Sequence, residues 1–80
     1  MPVYSIETSG LKTLVQRSTG CSGYALQLAL GERGLSSFRV DRRSADGRTW
    51  WFQATFQAGA LDPACTTAVT QPVTVTRLED

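Results

Sequence analysis

The alternation of apolar and polar positions is sharpest over Arg48-Thr49-Trp50-Trp51-Phe52-Gln53-Ala54-Thr55-Phe56-Gln57. Trp50, Phe52, Ala54 and Phe56 fall on one side, and Trp51, Gln53, Thr55 and Gln57 on the other. A period of two predicts a strand half-buried by its Trp50/Phe52/Phe56 side. The stretch holds both tryptophans and two of the three phenylalanines, so it is expected to be the central strand of the core. Upstream, residues 37–43 repeat the pattern, with Phe38 and Val40 inward and Arg39, Asp41 and Arg43 outward. Asp46-Gly47 lies between the two runs. Glycine supplies the positive φ of a tight turn, so a hairpin from about Ser37 to Gln57 is predicted.

The remaining segments are shorter. Val3-Tyr4-Ser5-Ile6-Glu7 reads as a strand and Thr8-Ser9-Gly10 as a turn. Leu11, Leu14 and Val15 have the spacing of a helix face, but the β-branched content after Ser9-Gly10 favours a returning strand over 11–17. Ser18 to Gly23 is a small, polar loop. In 24–30, Tyr24, Leu26, Leu28 and Leu30 alternate with Ala25, Gln27 and Ala29. The composition suits a helix capped near Ser22 and ending at Gly31, whereas the alternation predicts a strand, which is preferred. Gly31 to Gly34 is a turn. Asp62-Pro63 resembles an N-cap followed by proline, with one helical turn expected.

Residues 68–78 read as a final Thr/Val-rich strand. Pro72 cannot donate to a ladder, which predicts an edge position or a bulge. An unpaired edge there would offer a route to a partner's sheet or to a homodimer. The fold expected is mainly β: one domain over 1–80, a small antiparallel meander or barrel of about five to six short strands with at most one short helix. The alternative is an α+β fold with a helix at about 22–31.

Composition narrows the function classes. The 80 residues carry a net charge of +1 and no histidine. The commonest general base and the commonest transition-metal ligand are therefore missing. No G-x-S-x-G, phosphate loop or C-x-x-C occurs, and the carboxylates show no paired spacing. A non-enzymatic protein without metal or cofactor is expected. No apolar run approaches a membrane span. Met1-Pro2-Val3-Tyr4 lacks the basic and apolar regions of a leader, so a cytoplasmic protein is expected. Cys21 and Cys65 could close a disulfide loop of 43 intervening residues, stabilising by on the order of 3–4 kcal/mol. The missing export signal favours two free thiols instead.

The positive signal is arginine. Arg33, Arg39, Arg42, Arg43 and Arg48 lie within sixteen residues, interleaved with Glu32, Asp41 and Asp46. On the outward face of the hairpin Arg39, Asp41 and Arg43 would adjoin Trp51, Gln53 and Thr55. Arginine and tryptophan are enriched at protein-binding hot spots. The expected site is therefore Arg39, Arg42, Arg43, Arg48, Trp51 and Gln53, docking onto a larger protein or complex. In its sharpest form this is a small bacterial or phage-type regulator or inhibitor, anti-CRISPR-like, that blocks a site by occupying it. The alternatives are a small-barrel nucleic-acid binder using the same arginines and Trp51, and a structural β module held by Cys21–Cys65. The acids interrupting the patch and the near-neutral charge place nucleic acid second.

Overall fold

Five antiparallel strands form one sheet, with a single short helix, and the fold is mainly β. The computed structural model describes residues 1–79; Asp80, expected in a short acidic tail, lies outside the described residues. The strands are β1 (Val3–Thr8), β2 (Leu14–Arg17), β3 (Leu35–Arg43), β4 (Thr49–Phe56) and β5 (Val69–Glu79), in the order β2-β1-β5-β4-β3. Between β2 and β3 run the helix α1 (Ser22–Leu30) and one 3₁₀ turn, Gly31–Arg33. β3, β4 and β5 follow one another as a meander, and β5 then pairs with β1. The sheet is open rather than closed into a barrel, with β2 and β3 as its edges.

One face of the sheet carries the core. Ile6, Phe52, Ala54, Phe56, Val73 and Val75 pack with Ala25, Leu26 and Leu30 of α1, and all are buried. The inward row predicted for β4 is observed: Phe52, Ala54 and Phe56 are buried, and Trp50 is half-buried beside Tyr4 with ring centroids 6.0 Å apart. β4 is not the central strand, however. That place belongs to β5.

Residues 24–30 are helical, which corrects the preferred strand reading. Wound as a helix, Ser22, Ala25, Leu26 and Leu30 turn inward, the i, i+3, i+4 stripe of a core-facing helix. Tyr24 and Leu28 stay exposed. The alternation misled because Ala25, an apparent spacer, is a fully buried contact residue. The inner face of the sheet needs a cover, and a further strand would leave it bare. Gly23 allows the close approach, since a Cβ there would lie 3.3 Å from the Phe38 ring.

Pro72 also departs from expectation, because β5 is central. Its ring nitrogen is tolerated by a local device. Pro72 pairs with Gln53 of β4, while pairing with β1 begins only at Val73↔Thr8. The Thr8 hydroxyl donates to the Pro72 carbonyl at 3.0 Å, so the proline's polar side faces the place where β1 has ended. A central β5 cannot serve as a dimer edge. Asp62-Pro63 forms a hydrogen-bonded turn rather than a helical one, with the Ala64 amide donating to the Asp62 carboxylate at 3.0 Å. Cys21 and Cys65 are both free thiols, so no disulfide closes the loop.

Two variants separate the helix from the strand reading. Leu26→Ala should destabilise the protein by about 2–5 kcal/mol in urea unfolding. Leu28→Ala, on the exposed side, should cost about 1 kcal/mol or less. Equal losses would mean that the two leucines share a face, as in a strand.

Candidate functional site

The β3–β4 hairpin holds the candidate residues, and its turn is built by Ser44 and Asp46. The Ser44 amide donates to the Thr49 carbonyl at 2.8 Å, and the Gly47 amide to the Ser44 carbonyl at 3.0 Å. The Asp46 carboxylate accepts from the Ser44 hydroxyl and, at 3.1 Å, from the Arg48 amide. Gly47 has φ +71°, a positive value that glycine adopts without strain. The Ser44 hydroxyl, then the Arg48 amide, hold the Asp46 carboxyl below the usual carboxylate range.

Register decides which arginines meet which tryptophan. Arg39 pairs with Gln53 and Val40 with Phe52, but the register shifts after Val40, so that Arg42 pairs with Trp51 and Arg43 with Trp50. Asp41 is the extra residue, a β-bulge. The strict alternation expected over Arg39, Asp41 and Arg43 therefore fails at its last member. The bulge brings Arg42 to the Trp51 side and turns Arg43 to the Trp50 side. Arg42 Cζ lies 4.1 Å from the centroid of the Trp51 ring, a cation–π contact worth about 0.5–1 kcal/mol at an exposed position.

The structure thus divides the six expected residues. Arg39, Arg42, Trp51 and Gln53 share the sheet face away from α1. Arg43 lines a groove on the α1 side with Trp50. Arg48 belongs to the turn: its guanidinium reaches the Arg77 carbonyl at 3.4 Å, and its own carbonyl accepts from the Arg77 amide at 2.7 Å. It fixes the hairpin tip to β5.

The face around Trp51 is hydroxyl- and amide-rich. Alternation and register place Thr49, Gln53, Thr55, Thr70, Thr74, Thr76 and Ser5 on it, with Glu7 across the sheet. Thr55 and Thr70 share a hydroxyl–hydroxyl hydrogen bond of 2.9 Å. Ser37, Arg39, Asp41, Gln53, Thr55 and Thr70 line a shallow cleft of about 440 Å³. Asp41 thus stays on this side, near Arg39.

The α1-side groove escaped the sequence reading. It measures about 470 Å³ and is lined by Cys21, Ser22, Gly23, Phe38, Arg39, Val40, Arg43, Trp50 and Phe52. Phe38 meets Phe52 edge-on with centroids 5.7 Å apart. With 24–30 read as a strand, nothing placed Cys21 to Gly23 against β3. Cys65 lies apart from Cys21, in a second cleft with Phe56, Leu61 and Val69. Among the described residues, no three His, Cys, Asp or Glu side chains group as metal ligands, and no helix is long and apolar enough to cross a membrane.

Comparison of the chain with models of known protein families, with curated proteins and with solved structures finds no match.

The turn makes a pH prediction. Because the folded carboxyl titrates below the unfolded one, Asp46 contributes stability that is present above about pH 4 and lost as pH falls through the folded value. Carboxyl NMR titration should find Asp46 below an ordinary aspartate, and Ser44→Ala should raise it. An unmoved titration in Ser44→Ala would show that the hydroxyl does not hold the carboxylate.

Proposed function

We propose that this protein is a non-enzymatic binding module that docks on a larger protein through the sheet face bearing Trp51. The observation that carries the reading is the Arg42 guanidinium stacked on Trp51. A large ring and a planar cation held together on a surface lose little side-chain freedom on binding, which lowers the cost of association. Both residue types recur at hot spots, where a few side chains carry most of the binding energy. The surrounding threonines and Gln53 offer a neutral, hydrogen-bonding rim. Glu7 and Asp41 on the same face work against a nucleic-acid backbone, and Arg42 already covers the ring on which a base would stack.

A binding face without catalytic groups acts on a large target by covering a site. Steric inhibition, as practised by small bacterial or phage anti-defence proteins, is the narrower form of the same proposal. Its support is the form of the site.

A partner captured with tagged protein and reconstituted from purified components should bind Trp51→Ala and Arg42→Ala at least tenfold more weakly than wild type. Both variants should unfold at nearly the wild-type urea concentration. Wild-type affinity in Trp51→Ala would overturn the proposal. A ligand that proves to be nucleic acid, with affinity falling steeply with salt, would replace it with the nucleic-acid reading.

A further inference from the structure

The groove beside the first turn of α1 lies on the opposite side of β3 from Arg42 and Trp51, and its occupancy does not depend on whether the Trp51 face binds a protein. Its floor is apolar: Phe38, Val40, Trp50 and Phe52. Val40 points to the α1 side yet is 57% exposed, so the core leaves it uncovered. Arg39 and Arg43 form the rim, and no carboxylate lines the groove. The amino end of α1 adds charge of the same sign, because its first turn holds no acid and Cys21 makes no side-chain cap bond.

Beside this groove runs a free strand edge. Among the described residues β3 pairs only with β4, so its outer backbone groups are a template for another strand. Ser37 to Val40 keep regular register between two shifts, a flat run of about four residues. A second copy is a poor occupant. Edge-to-edge pairing of two β3 strands centred on Arg39 in the regular run would set that residue opposite its own copy, and like charges across a strand pair destabilise it. The same arginine favours a strand of opposite charge.

We propose that the β3 edge accepts an extended segment of another protein as a sixth strand, one carrying a bulky apolar side chain between carboxylates. Its backbone pairs with Ser37 to Val40. Its apolar side chain lies on Val40 and Trp50, and its carboxylates, turned to the other face by alternation, meet Arg39. Main-chain bonds supply affinity and the groove supplies selectivity, as in other cases of strand addition.

The test titrates the ¹⁵N-labelled 80-residue chain with a capped hexapeptide alternating Phe and Glu. The expected result is saturable shifts and new hydrogen-exchange protection at Ser37 to Val40. The Phe/Lys peptide, and the Phe/Glu peptide N-methylated at alternate amides, should bind at least tenfold more weakly. Arg39→Glu, at an exposed position, should weaken the Phe/Glu peptide to the same degree, while Trp51→Ala should not. Four outcomes would overturn the proposal: no binding at millimolar peptide, equal binding of the Lys or N-methylated peptide, concentration-dependent pairing of β3 with its own copy, or indole-3-acetate binding as well as the peptide. The last would assign the groove to small aromatic acids.

Discussion

The contact between the inward row of β4 and helix α1 governs the rest of the structure. Phe52, Ala54 and Phe56 are buried, and a strand turns every second residue to the same side. Once that row faces α1, Gln53, Thr55 and Trp51 have no choice but to face away. β5 then aligns Val73 and Val75 with Phe52 and Trp50, and β1 aligns Ile6 with Val75. The core face is thus propagated strand by strand from β4. A one-residue slip would reverse every side chain in the chain of pairings.

The bulge at Asp41 interrupts this propagation beside the two tryptophans. Before it, β3 follows the alternation set by β4. After it, the faces are exchanged, and that exchange creates the two surfaces of interest. Arg42 is placed on Trp51, and Arg43 is left at the lip of the groove floored by Trp50 and Val40. With regular pairing carried on past Val40, Asp41 would stand opposite Trp51, Arg42 opposite Trp50 and Arg43 opposite Thr49. The bulged pairing therefore sets which arginine is stacked on Trp51 and which stands at the groove. Asp41 keeps its own carboxylate out of the groove, which leaves the groove positive.

Much of this was legible from local pattern. The alternation in β4 and the Asp46-Gly47 turn are short-range signals, and the hairpin comes from them directly. The strands at β1, β2 and β5 likewise read from alternation and composition. What failed had a common cause. α1, the central position of β5 and the bulge are all set by partners distant in the chain. Leu26, Leu28 and Leu30 fit an alternating row, and only the need to cover Val73, Val75 and Phe56 makes the segment wind as a helix with Leu28 exposed. Pro72 is excluded from a central strand by its missing donor, unless the neighbouring strand stops beside it, as β1 does at Thr8. No local signal reports where β1 stops. The site was legible to the same degree: Arg39, Trp51 and Gln53 come together as the pattern implies, whereas Arg42 and Arg43 exchange faces at the bulge and Arg48 is held in the turn by its attachment to Arg77.

The most direct test is the ring-current shift of the arginine side chains. With Arg42 stacked 4.1 Å from the Trp51 ring centre, its δ-methylene protons should resonate well upfield of ordinary arginine. They should return to the ordinary position in Trp51→Ala, with Arg43 unmoved by that substitution. If Arg43 rather than Arg42 responds to the loss of Trp51, β3 has no bulge at Asp41, and both binding surfaces are assigned to the wrong residues.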